Sequence, residues 1–213
     1  MIDPSANSGV GEGSAWAAGL NMDASAIVEV LSRVLAEQEP VSVETLASLD
    51  GMPTISVSRE SLPKVARTLR DAAELRFVLL ADIVAVDYLP REPRFEVLYI
   101  LASPGVGGFG DTQKRLRMKV LVPGNDLRLP TVSDVWASAN WGEREVYDLF
   151  GIEFDGHPDL RRILMPEDWE GFPLRRDYPV QIKAPVKTYA PLQVSEEEFV
   201  ANVETARSRP RKG

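Results

Sequence analysis

Residues 142–164, GEREVYDLFGIEFDGHPDLRRIL, gather the side chains most able to do chemistry. Glu143, Glu145 and Asp148 are carboxylates. His157 is the only histidine of the chain, and Arg161 and Arg162 follow it. Such a set could supply a general acid and base or ligate a hard cation, provided the groups converge in one pocket. The spacing argues against convergence. On a helix Glu143 and Glu145 point about 200° apart, while Glu145 and Asp148 share a side. Arg144 and Asp148 are spaced i,i+4 and can pair. A solvated or partner-facing charged helix fits better than a paired-carboxylate site. His157 precedes a proline in the turn DGHPDL, a setting for a structural or capping residue rather than a general base. A free-standing acid–base hydrolase using Glu143, Glu145, Asp148 and His157 is the rival reading.

The charges continue beyond this stretch. Arg161–Arg162 and Arg175–Arg176 could grip phosphate, but they interleave with Asp159, Glu167, Asp168, Glu170 and Asp177. Alternating signs favour salt bridges between proteins over a nucleic-acid patch. Regular periodicity ends after Gly151. Residues 152–192 are rich in proline and in turn sequences such as HPDL, MPED and GFPL. With Trp169, Phe172 and Tyr178 exposed, such a segment cannot form a core alone. Trp, Tyr and Arg dominate interface hot spots. Residues 152–213 are therefore expected to be an extended arm and C-terminal tail that dock on partner subunits. Ser195 and Glu198 form a capping-box pattern that could start a short helix.

The elements that must position these residues lie upstream. Ile27, Val30, Leu31, Val34 and Leu35 fall at helical spacing after Asp23 and Ser25, either of which could cap. TISVS (54–58) reads as a strand. ESLPKVARTLRDAAE reads as a helix with Pro63 in its first turn. Three strands follow, at 75–89, 94–103 and 114–123, the last two alternating in polarity. Their short connections imply antiparallel pairing. The glycine-rich loop SPGVGGFGD (103–111) precedes a strand, not a helix, so it is a hairpin loop rather than a phosphate cradle. From Thr131, an apolar stripe through Val132, Val135, Trp136, Ala139, Val146, Leu149 and Phe150 implies two short helices broken near Asn140–Gly142, with Gly151 as C-cap. The expected fold class is α+β: a two-layer domain with a mostly antiparallel sheet and helices on one face, followed by the C-terminal arm. The expected organisation is a flexible tail at 1–23, the α+β domain at 24–151, and the arm and tail at 152–213.

Composition narrows the function. The chain has 213 residues, 44% hydrophobic and 26% charged, enough for one domain with a sizeable core. A net charge of −8 disfavours nucleic acid as a partner. There is no cysteine, which removes disulfides, thiolate nucleophiles and cysteine-ligated iron–sulfur clusters. One histidine makes a histidine-rich metal site implausible. The strongest apolar run, FVLLADIVAV, is short and holds Asp82, so it cannot span a bilayer. The first 23 residues carry three acids and no Lys or Arg. They match neither a secretory signal nor a transit peptide, and imply a cytoplasmic protein.

The run Glu143-Arg144-Glu145, Asp148, Leu149-Phe150, His157, Arg161 and Ile163-Leu164 resembles, position by position, the motif of the 30 kDa subunit family of respiratory complex I, the bacterial NADH–quinone oxidoreductase. GFPLRRDYPV (171–180) resembles the family's arm. The likeness covers roughly residues 25–180 in layout and 140–180 in residue detail. It implies a cofactor-free, non-catalytic subunit of a proton-translocating complex, peripheral on the cytoplasmic face of a bacterial membrane and membrane-associated only through that complex. Its partners would be the 49 kDa-type quinone-site subunit and neighbouring iron–sulfur subunits, with FMN and Fe–S clusters on the partners alone. Similar subunits serve related membrane-bound hydrogenases and ferredoxin- or coenzyme-F-dependent complexes. Under this resemblance Glu143, Arg144, Glu145, Asp148, His157, Arg161, Arg162, Arg175, Arg176 and Asp177 order the arm or dock it on the quinone-site subunit.

Overall fold

The computed structural model of the chain describes residues 23–36, 41–104, 114–179 and 195–208. The expectations for the tail at 1–22 and for the glycines of the 105–113 loop lie outside these residues. Helix α1 (Ala24–Leu35) buries Ile27, Val30, Leu31 and Leu35 along one stripe. Helix α2 (Leu62–Asp71) does the same with Leu62, Val65, Ala66 and Leu69, and Pro63 sits in its first turn. There the missing N–H of proline has no intrahelical partner to lose.

Five strands form the main sheet: β1 (Val43–Leu46), β2 (Thr54–Val57), β3 (Leu79–Asp87), β4 (Phe95–Ser103) and β5 (Lys114–Val122), in the order β1-β2-β5-β4-β3. β3, β4 and β5 pair antiparallel, as their short connections require. β2 and β5 pair parallel. A parallel pair needs a long crossover, which α2 and the β3–β4 hairpin provide. β1, absent from the sequence-based expectation, is half exposed and pairs only with β2, so its apolar alternation is weak.

Period-2 alternation sends Ile55 and Val57, Ile83 and Ala85, Phe95 to Leu101, and Leu116 to Val122 to one face, where they join the helices in a single core. The other face carries residues such as Arg117 and Lys119. Glu96 lies on that face yet is buried, held by Lys119 at 2.7 Å and Arg91 at 3.7 Å.

The expected break near Asn140–Gly142 is not there. Residues 132–138 make tight turns, with Trp136 N–H bonded to the Val132 carbonyl at 3.0 Å, and α3 then runs unbroken from Ala139 to Phe150. Gly142 lies inside α3 because α3 rests on β3. A Cβ there would meet Ile83 at 3.1 Å. β3 is an edge strand, and edge carbonyls left open invite mispairing. The approach to α3 covers this edge: the Ser138 hydroxyl donates to the Leu80 carbonyl of β3 at 3.0 Å, and Trp136 Nε1–H donates to the Phe77 carbonyl just before the strand at 2.9 Å.

After α3 the chain makes β7 (Glu153–Asp155), which pairs parallel with β6 (Arg128–Pro130). Neither was expected. Phe154 and Leu129 of this pair are core residues. The first compact unit runs to Tyr178, past the boundary expected after Gly151. The remainder forms a second unit. It contains α4 (Glu196–Ser208), capped as its sequence implies by Ser195, whose hydroxyl accepts the Glu198 N–H at 3.2 Å. Among the described residues, no helix is long and apolar enough to cross a membrane.

Candidate functional site

Three of the four charged residues of α3 are buried. Glu143 and Asp148 are fully buried and Arg144 is 8% exposed, so the solvated helix expected from spacing is corrected. Burying a charge costs several kcal/mol unless partners replace its water. Each of these groups has them.

Asp148 is the centre. Its Oδ2 accepts the backbone N–H groups of three consecutive residues, Ile163 at 3.0 Å, Leu164 at 2.7 Å and Met165 at 2.8 Å. Its Oδ1 accepts from Arg162 Nη1 at 2.8 Å. Successive amides aimed at one anion make an anion-binding nest. Burial resists ionisation of Asp148, but the three amides and Arg162 outweigh it and lower its pKa. Arg162 also reaches the Gly171 carbonyl at 3.0 Å, so one guanidinium joins α3 to two points of the arm. The i,i+4 pairing of Arg144 with Asp148 does not form. Arg144 instead donates to the carbonyls of Arg161 at 3.1 Å and Arg162 at 3.4 Å, and its guanidinium lies 5.0 Å from the Trp141 ring centroid.

Glu143 serves the turn before the helix. Its carboxylate accepts the Val132 N–H at 2.7 Å and the Thr131 hydroxyl. Burial raises its pKa to about 7, and these two donors only partly offset it. His157 Nε2 lies 3.9 Å from Glu143 Oε2. Its Nδ1 accepts the Asp159 N–H at 3.1 Å, so the ring proton sits on Nε2 and is donated to the Asn140 carbonyl at 3.1 Å. In this geometry His157 is a neutral clamp between α3 and the arm, not the cation of an ion pair.

A second hub lies at the far end of β3. Asp87, 7% exposed, accepts from Leu89 N–H at 2.9 Å, Arg176 N–H at 2.8 Å and both Nε and Nη2 of Arg94 at 2.9 and 2.7 Å. Burial works against the ion, yet Arg94 and the two amides hold its pKa at about 2. Arg94 also bonds Asp177 at 3.0 Å, and Arg176 bonds the Leu89 carbonyl at 2.9 Å. Between the hubs, Arg175 donates to the Phe150 carbonyl and stacks 4.4 Å from the Phe172 centroid. Burial lowers its pKa. Gly151, at φ +72°, leaves the space they use, since a Cβ there would overlap both Phe172 and Arg175.

The candidate residues therefore divide. Arg144, Asp148, His157, Arg162, Arg175, Arg176 and Asp177 are drawn into contacts that hold residues 156–178 to the domain, while Glu143 fixes the 131–132 turn. Glu145 and Arg161 face outward, Arg161 pairing with the neighbouring Asp159 at 3.0 Å. The three carboxylates address three different places, the 131–132 turn, solvent and the 163–165 amides, so they do not converge. Among the described residues no group of three His, Cys, Asp or Glu could hold a metal ion. Sequence reasoning missed Asp87, Arg94 and Thr131. Asp87 had left a signal: it continues the inward phase of Ile83 and Ala85, and an acid in that phase requires a buried partner.

Residues 55–184 match the family model described as respiratory-chain NADH dehydrogenase, 30 Kd subunit. The chain is 47% identical over 148 residues to an NADH-quinone oxidoreductase subunit of Geobacter sulfurreducens, covering 69% of this chain and 86% of that one. It is 59% identical over 108 residues to NADH-quinone oxidoreductase subunit 5 of Thermus thermophilus, covering 49% and 52%. A chain from the structure of the membrane-bound sulfane sulfur reductase, an archaeal respiratory membrane complex, shares the fold with a TM-score of 0.54 at 20% identity, over 87% of this chain and 94% of that chain.

Proposed function

The chain belongs to the family of the 30 Kd subunit of respiratory-chain NADH dehydrogenase, and from that premise we propose that it is a structural subunit of a membrane-associated NADH–quinone oxidoreductase. In this reading it binds no cofactor and performs no chemical step. Flavin and iron–sulfur clusters on neighbouring subunits carry electrons from NADH to quinone, and this chain braces the quinone-site subunit of the 49 kDa type. It sits peripherally on the cytoplasmic face of a bacterial membrane and reaches the membrane only through the complex.

The observation that carries the reading is the direction of the motif's charges. Arg144, Asp148 and Arg162 bind between α3 and the arm, and Glu143 is turned inward onto the 131–132 turn, so the motif's carboxylates do not converge on a substrate. A set of buried ionic hydrogen bonds holds one arm conformation, as a rigid brace requires. The expected docking of the motif on the quinone-site subunit is narrowed accordingly: the inward residues shape the surface, and outward residues such as Glu145 and Arg161 meet the partner.

The test is affinity purification of the tagged full chain from detergent-solubilised membranes of its native host. Co-purification with flavin and iron–sulfur proteins and with NADH:quinone activity is the expected result. Recovery of the chain alone, or substrate turnover by the purified chain, overturns the reading.

A further inference from the structure

We propose that the groove between the β3 edge and the first turns of α3 is a docking site for a basic segment of a partner subunit, one that inserts an apolar side chain and brings Lys or Arg beside it. The proposal rests on the subunit reading above and names one surface through which it operates.

The groove has a volume of about 280 Å³. Leu80, Ile83, Trp141 and Ile163 line it with apolar surface, and Asp82 and Glu145 are the charged residues of its lining. Both acids are exposed, and among the described residues neither has a salt-bridge partner. Arg144 adjoins Glu145 in sequence but is turned away, held by the carbonyls of Arg161 and Arg162. The groove therefore presents uncompensated negative charge around an apolar floor, and its complement is positive and apolar.

Trp141 sharpens the assignment. It is 64% exposed, unusual for so large an apolar side chain, and such rings are enriched at interface hot spots. One face lies against the Arg144 guanidinium, which the arm's carbonyls hold in place, so the ring is ordered before a partner arrives. Glu145 lies one helical turn further on the same side of α3.

The larger groove, about 670 Å³ on the open sheet face, differs in carrying Arg91, Arg117 and Lys119 beside its acids. Its cations are matched within the chain, Arg117 by Asp50 at 2.6 Å and Lys119 by Glu96 at 2.7 Å.

The experiment uses the full chain in cells lacking the wild-type copy. Assembled complex is read on native gels, and the purified variants are checked by thermal melting. Trp141→Ala and Glu145→Lys each lower assembled complex several-fold with unchanged melting, while Glu44→Lys, the same charge change at the opposite end of the sheet, assembles normally. A benzophenone side chain placed at position 141 then cross-links to another protein of the same complex, at an apolar residue flanked by Lys or Arg. Wild-type assembly by both groove variants overturns the proposal. So does a cross-link to an acidic segment, to a second copy of this chain, or to its own basic end at 209–213. If the wild-type chain itself enters no complex, the subunit reading fails first, which separates the two.

Discussion

Arg162 Nη1 lies 2.8 Å from the Asp148 carboxylate and 3.2 Å from the Asp148 carbonyl. One side chain of the arm thus engages both the side chain and the backbone of the last turn of α3. Carbonyls in that turn lack helical N–H partners and carry the negative end of the helix dipole, so a guanidinium is well placed there.

Asp148→Asn keeps the shape but removes the charge facing Arg162 and three amides. Breaking a buried pair by neutralising one partner costs about 3–5 kcal/mol. Urea titration of the purified chain should show a loss of that size. A loss under about 1 kcal/mol would mean the arm does not depend on this carboxylate.

Gly151→Ala places a Cβ at φ +72° and into Phe172 and Arg175. The left-handed backbone costs roughly 1–2 kcal/mol and the overlap a further 1–3 kcal/mol. Thermal melting should fall, and the environment of Phe172 should change in side-chain NMR spectra. A melting temperature equal to wild type would contradict the close approach of the arm.

Glu143 has a folded pKa of about 7 against an ordinary 4.5. Because the folded value is raised, the associated stability is fully present below pH 4.5 and is lost as pH rises through 7. Glu143→Gln retains bonding to Thr131 and Val132 without the ionisation cost. It should stabilise the chain by about 3 kcal/mol at pH 8 and leave stability nearly unchanged at pH 4, at 1.36 kcal/mol per pKa unit. Equal effects at both pH values would contradict the buried-acid assignment.

Asp87 behaves oppositely. Its folded pKa of about 2 lies below the ordinary 3.8, so its stabilisation is present above pH 3.8 and lost as pH falls through 2. The shift corresponds to roughly 2 kcal/mol. Asp87→Asn should remove that part of the acid unfolding slope, read from urea midpoints between pH 5 and 2. An unaltered slope would show that other carboxylates account for it.

Much of the fold was legible because hydrophobic periodicity reports one-sided burial directly. α1, α2 and the three long strands each bury one face, and each stood out. β1 and the β6–β7 pair did not, since three or four half-exposed residues carry too little alternation. The break assigned to Asn140–Gly142 failed because glycine there serves contact with Ile83 rather than helix termination. The motif of 142–164 was legible as a unit, but its direction was not. Whether Asp148 faces water or three amides depends on where residues 162–165 return, and local spacing is silent about that return. Spacing alone offered Arg144 as the partner of Asp148, whereas the fold supplies Arg162 from the next segment.

Amide hydrogen exchange of Ile163, Leu164 and Met165 in the isolated wild-type chain shows whether the charged motif holds the arm on its own domain. Slow exchange is expected at all three amides at neutral pH, accelerated to near-unstructured rates in Asp148→Ala while amides of β4 stay protected. Unprotected exchange at these amides in the wild-type chain, with protection gained only in the assembled complex, would mean that the partners and not the motif hold the arm.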